Sequence, residues 1–244
     1  MSDDAPSSQH EPEGPALPAA AFAPLADPVF RMLWVVWLTA NVCMAMNDVA
    51  AAWLMSTLTT SPVMVALVQT AATMPVFLLG LPSGALADIL DRRRYFVVTQ
   101  FWVAVTALLL CLAILTDAIN PTLLLVLVFL NGIGLAMRWP VYSAIVPGLV
   151  PRIQLPAALA LNGLAMNASR IIGPVVAGAL IAGAGTEWVF IVNVVLSVTA
   201  GFLILRWKTV EEPSALPGER FLGAMRVGVQ YVRQSAPMRA VLVR

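Results

Sequence analysis

Asp48, Arg138 and Arg170 are ionisable residues that fall inside long apolar runs of this chain. On insertion scales such a group costs about 2.5–3.5 kcal/mol in hydrocarbon, so each needs a partner or a function. Counted along their runs, Asp48 and Arg170 both lie roughly 14–16 residues in, or about 21–24 Å up, whereas Arg138 lies about 6 Å from the inner surface. Depth therefore lets Asp48 meet Arg170, as an ion pair or in a shared polar cluster with Asn47, Asn162 and Asn167. It keeps Asp48 away from Arg138. A carboxyl so placed is a candidate protonatable coupling residue. The competing expectation is that Asp48 sits close enough to the outer interface to be hydrated. Arg138 is expected to snorkel to cytoplasmic head groups, or to line the inner mouth of a cavity.

The elements that hold these groups follow from hydropathy. The 244 residues are 60% hydrophobic and 11% charged, against about 25% charged in soluble domains. Mean hydropathy is +0.86. A formal net charge of +1 supplies no field for nucleic acid. Six apolar runs cover Met32–Leu58, Val63–Ala87, Tyr95–Leu115, Thr122–Ile145, Pro156–Ala182 and Trp188–Leu205. Each approaches or exceeds the roughly 20 residues that a spanning helix needs. Ser61-Pro62 and Asn120-Pro121 read as helix starts, a capping side chain followed by proline at the first helical position. Pro75, Pro82, Pro140 and Pro174 fall within or near the ends of spans, where neighbouring helices can satisfy the freed backbone.

Charge assigns the orientation. Arg31, Arg92 to Arg94, Arg152, Arg206 and Lys208 all fall on one side of the six spans, while the opposite loops carry only Asp117 and Glu187. Short basic loops stay in the cytoplasm, so both termini are expected inside, in the inner membrane of a bacterial cell. Residues 1–28, acidic and rich in Pro, Ala and Ser, read as a disordered cytoplasmic leader. They lack the basic start of a secretory signal. Residues 29–208 form the six-helix domain, and residues 209–244 a cytoplasmic central loop. Within that loop, 221–233 has apolar spacing for a surface amphipathic helix or a solvated linker helix. Residues 238–244 look like the approach to a seventh span that the chain does not enter.

Catalytic chemistry is not expected. No nucleophile–base set, phosphate-cradling glycine loop or Cys/His cluster is present; Cys43 and Cys111 read as buried apolar thiols, and the lone His10 lies in the leader. The chain is expected to be no enzyme, with neither cofactor nor metal.

The stretch Gly84-Ala85-Leu86-Ala87-Asp88-Ile89-Leu90-Asp91-Arg92-Arg93-Arg94 resembles the helix two–three loop of the major facilitator superfamily. Gly84, Leu86, Ala87, Asp88, Arg92 and Arg93 match its pattern; Ile89 replaces an arginine and Asp91 a glycine. Gly173-Pro174 with Gly178 resembles the helix-five signature of the superfamily's exporters, in part, since Ser169 and Ala177 stand where that signature has glycine. Trp53-Leu54, Val150-Pro151 and Leu161-Asn162 extend the likeness across all six spans. It is nearest to the branch of the enterobactin exporter and the transmembrane secretion effectors.

The resemblance implies an all-α membrane protein, the N-terminal six-helix half of a twelve-helix fold, built as two inverted three-helix repeats. It implies that Asp88 latches the two halves in the outward-facing state and that Arg92 holds the loop through charge-assisted hydrogen bonds. Alternatively, Arg92 to Arg94 serve topology and bind anionic lipid. The small-residue pairs Gly80/Gly84 and Gly173/Ala177 suit close helix packing, and the family adds a bend at Gly173-Pro174 during alternating access. The expected activity is secondary active efflux of a small molecule, driven by proton antiport. The partners are the bilayer, the substrate, protons, and a second six-helix half or another copy to close the pathway. A truncated or split product, an assembly partner without transport, and an uncoupled facilitator or importer are the rival expectations.

Overall fold

A computed structural model describes residues 21–207, and the expected leader (1–20 of it) and the 209–244 loop with its amphipathic helix lie outside the described residues. Six long helices follow in order: α1 (Pro28–Leu58), α2 (Pro62–Ile89), α3 (Arg92–Leu115), α4 (Pro121–Ile145), α5 (Leu155–Gly183) and α6 (Thr186–Arg206). All six contain segments long and apolar enough to cross a membrane.

Local chemistry explains most of the boundaries. α1 begins four residues before its apolar run because Asp27 caps it, its Oδ1 accepting the Val29 and Phe30 N–H groups at 2.8 Å. Asn120 caps α4 by accepting the Leu123 N–H at 2.9 Å. Ser61 occupies the N-cap of α2, but its hydroxyl makes no capping bond; the proline after it supplies the start. The tight α5–α6 turn needs Gly185, whose φ of +116° an L side chain rarely adopts.

The helices pair laterally as α1 with α5, α2 with α4 and α3 with α6. Exchanging the first three helices for the last three turns the α1–α5 pairing into α4–α2 and returns α3–α6 to itself. Three is an odd number of crossings, so the two repeats run in opposite directions. The inverted three-helix repeat is therefore present in the packing.

Lipid offers helices little hydrophobic reason to associate, so small residues that let backbones meet decide the contacts. A Cβ added at Gly173 would lie 2.5 Å from Ala45 Cβ and 3.1 Å from the Val42 carbonyl oxygen, so α5 rests directly on α1. At Gly132 of α4 it would lie 2.5 Å from the Ala72 carbonyl oxygen and 3.0 Å from Pro75 Cγ of α2. Ala177 is fully buried. Gly80 and Gly84 depart from expectation: nothing lies within 4 Å of their Cβ positions. They face away from the neighbours that α2 has within this bundle.

Two apolar clusters fill the interior. One, at the end bearing the arginines, includes Phe30, Trp37, Phe96, Tyr142, Leu161 and Ile204. The other, toward the acidic end, includes Met46, Met55, Leu110, Leu124 and Phe190.

Candidate functional site: a small cavity and an arginine-clasped turn

In the second cluster a cavity of about 30 Å³ opens among five helices. Asn47 and Asp48 of α1, Ala72 of α2, Leu110 of α3, Asn131 of α4 and Phe190 of α6 line it. Such a volume holds one or two waters, given that one needs about 10–15 Å³. Asn131 donates its Nδ2–H to Thr106 Oγ1 at 2.8 Å, which orients the amide. Asn47 is 8% exposed and its Oδ1 has no partner. Among the described residues the one ion pair is Arg94–Asp91, at 3.6 Å. Asp48 thus lies in the bundle without a cation.

The expected pairing of Asp48 with Arg170 does not form. Trp34 of α1 donates its indole N–H to the Leu161 carbonyl of α5 at 3.0 Å, and Gly173 packs on Ala45. This register sets Arg170 beside Val42, some six residues or roughly 9 Å below Asp48. Val42, Ala45 and Met46 form the α1 face that meets α5, while Asp48 points about a third of a turn around the helix into the cavity. Counting residues along each run missed this because α1 begins at Pro28, four residues before its apolar run, level with the start of α5 at Leu155. Arg170 and Asn167 are instead exposed on α5, where Asn167 donates to its own Gly163 carbonyl at 2.8 Å. Asn162 joins a different group: its Oδ1 accepts the Tyr142 hydroxyl at 2.9 Å.

Arg138 does not snorkel. It is 3% exposed, turned inward toward the Ala40 carbonyl at 3.5 Å, with its guanidinium 5.7 Å from the Trp37 ring centroid. Trp37 stacks on Tyr142 with centroids 4.0 Å apart, so cation, indole, phenol and Asn162 form a chain across α4, α1 and α5. The side chain faces α1, not the bilayer, and this prevents it from reaching the head groups. Phe96 and Tyr142 are in contact, and one turn further along the antiparallel pair α3 and α4 bring Gln100 and Arg138 to the same level. Gln100 is 1% exposed with both amide atoms unpartnered. Asn131, which lies in an otherwise apolar stretch, was open to the test applied to Asp48. Gln100, a polar residue within the Tyr95–Leu115 run, carries the same signal; Trp37 and Tyr142 carry none comparable.

The turn between α2 and α3 is a junction of helix ends. Asp91 caps α3, accepting the Arg94 N–H at 3.0 Å, so the residue in place of the superfamily's glycine has a local use. Arg92 donates to the Ala144 carbonyl at the end of α4 at 3.0 Å. Arg93 donates through Nε to the Ile204 carbonyl at 3.2 Å and through Nη2 to the Leu205 carbonyl, at the end of α6. The last carbonyls of a helix lack intrahelical partners and carry partial negative charge; two guanidinium groups satisfy them here. Gly84, Leu86 and Asp88 occupy the last turns of α2, with Leu86 packed at the edge of the first apolar cluster. Pro174 and Gly178 are exposed on α5.

Comparison with known proteins decides the family. Residues 19–244 match the family described as transmembrane secretion effector. The chain belongs to that family. The chain is 30% identical over 131 residues to the Staphyloferrin A transporter of Staphylococcus aureus (strain NCTC 8325 / PS 47), a match covering 53% of the chain and 33% of the relative. It is 31% identical over 134 residues to the "Putative multidrug resistance protein MdtD" of Salmonella typhi, covering 53% of the chain and 27% of the relative. The matches thus span a third or less of those relatives' length. The chain is an integral membrane protein of the major facilitator superfamily, and its described residues have the helical content of one six-helix half.

Proposed function

We propose that this protein acts as one six-helix half of a secondary active exporter of small molecules, working by alternating access and driven by proton antiport through Asp48. The observation that carries the coupling role is a carboxylate within the helix bundle that lines a small, mostly apolar cavity with Asn47 and Asn131, and has no cation beside it among the described residues. The names of the relatives, a Staphyloferrin A transporter and a "Putative multidrug resistance protein", favour a small-molecule substrate, and the second favours export. The positions of Arg31, Arg92 to Arg94, Arg152 and Arg206 support cytoplasmic termini in a bacterial inner membrane.

A second helical body completes the pathway. α2 and α5, equivalent helices of the two repeats, expose Gln69, Thr70, Asn167 and Arg170 together with Gly80 and Gly178, interspersed with large apolar side chains such as Phe77 and Ile171. Polar and small residues suit another helix bundle or a water-filled cavity, and fit poorly against lipid. In that assembly Asp88 latches the turn against the partner half, and Gly173-Pro174 bends as access alternates.

The test is dye transport in vesicles bearing the protein with its second half, with and without an imposed pH gradient. Gradient-driven accumulation that disappears in Asp48→Asn supports the reading. Accumulation unchanged by the gradient or by the substitution removes Asp48 from coupling.

A further inference from the structure

We infer that the acidic segment 1–20 docks on the arginine-bearing end of the bundle, on a face formed by Arg92, Arg94, Arg152 and Arg206. Contacts between helix ends assemble that face. Arg92 donates to the Ala144 carbonyl, and Arg93 to the Ile204 and Leu205 carbonyls, so the start of α3 abuts the ends of α4 and α6. This junction gathers Arg92, Arg94 and Arg206 around three helix ends, and Arg152 follows in the turn that leaves α4. All four are exposed. Their charge is not answered locally. Among the described residues the one ion pair is Arg94–Asp91, at 3.6 Å and with the arginine side chain 85% exposed. Asp27 and Asp91, at the same end, are committed to capping α1 and α3.

The chain itself supplies the complement. Asp3, Asp4, Glu11 and Glu13 all precede Arg31, the first Lys or Arg in the sequence. Acidic residues contribute little to membrane orientation, so topology accounts for the arginines and leaves these four acids without a role. The acidic segment joins the bundle at the matching end, through the short turn Ala23–Ala26 that precedes α1. Leu25 of that turn packs on the same apolar cluster as Leu149, just after α4, and Trp207, just after α6. Twenty residues reach at most about 66–72 Å, several times the roughly 10–12 Å diameter of a helix. Exposed ion pairs are individually weak, but a short tether raises the local concentration of one partner to the order of mM. Salt screens such pairs, so the docking is expected to be salt-sensitive.

The experiment places a spin label on Ser8→Cys in the full chain, reconstituted in phosphatidylcholine nanodiscs; Cys43 and Cys111 are buried. At low ionic strength the label is expected to be immobilised, and about 1 M NaCl, where the Debye length falls to about 3 Å, frees it. Arg94→Gln, Arg152→Gln and Arg206→Gln made together free it at low ionic strength. So do Asp3→Asn, Asp4→Asn, Glu11→Gln and Glu13→Gln made together, a variant that leaves the bundle as it is and decides the matter if the arginine variant does not fold. A label equally mobile in all three proteins overturns the inference, as does one equally immobilised in all three. Immobilisation that disappears when phosphatidylglycerol replaces phosphatidylcholine assigns the arginines to anionic head groups, and overturns it too.

Discussion

Gly173 lies against Ala45 so closely that a methyl group on it would sit 2.5 Å from the alanine Cβ. The Val42 carbonyl oxygen and the Met46 amide nitrogen, at 3.1 and 3.2 Å, leave no flexible side chain to move aside. The contact sets both the spacing and the vertical register of α1 and α5. It therefore also decides that Arg170 misses Asp48.

Gly173→Leu is expected to destabilise the protein by about 1–3 kcal/mol, the usual cost of overpacking a tight contact. Gly178→Ala, five residues on with open space at its Cβ position, is expected to leave the unfolding midpoint unchanged. Thermal unfolding of both variants in detergent checks the pair; equal effects would contradict the register.

Arg93 and Arg94 separate a structural arginine from a solvated one. Arg93→Ala removes two charge-assisted bonds onto the last carbonyls of α6, each worth about 1.5–3 kcal/mol when fully made and less at this half-exposed position. Hydrogen exchange in the last turn of α6 should quicken. Arg94→Ala, whose side chain is 85% exposed beside Asp91, should leave that exchange as it was.

Arg138→Met is expected to keep or raise the unfolding midpoint. Exchanging a buried cation without a carboxylate for an apolar side chain of similar length is often neutral or stabilising by about 1–4 kcal/mol. The lost contact with Trp37 returns part of that, about 0.5–2 kcal/mol. A clear fall in the midpoint would show that Arg138 has an anionic partner.

Tyr142→Phe removes one hydrogen bond between α4 and α5, at an expected cost of about 0.6 kcal/mol and no more than about 2. Asn162→Ala should cost a similar amount, and the double variant less than the sum, because both delete one interaction. Additive losses would mean that each group has a separate partner.

Cysteine placed at Ala118 should react with an impermeant maleimide from outside intact cells, and cysteine at Leu90 only after permeabilisation. Cys43 and Cys111, 2% and 3% exposed, contribute little background. The reverse pattern would invert the topology.

The spans were legible in the sequence because hydropathy and the placement of arginines are properties of position along the chain. Six helices fall where six apolar runs lie, and the ends differ mainly where a cap such as Asp27 extends one. Asp48 and Asn47 were legible for the same reason, as polar residues in hydrocarbon. The inverted repeat, by contrast, left no clear similarity between the two halves of the sequence; it emerges from which helices pair.

What the sequence determined by itself, then, is the number of crossings, the side on which positive charge lies, and the family to which the Gly84–Arg94 stretch belongs. Only the tertiary structure decided which polar groups meet. Contact between residues distant in the chain depends on lateral neighbours and on rotation about each helix axis. Gly132 and Gly173 set those by letting backbones touch. Moving one helix by a turn changes depth by about 5.4 Å, enough to replace an expected Asp48–Arg170 pair with an open cavity. The same packing turned Arg138 from an expected interfacial residue into a buried cation behind Trp37.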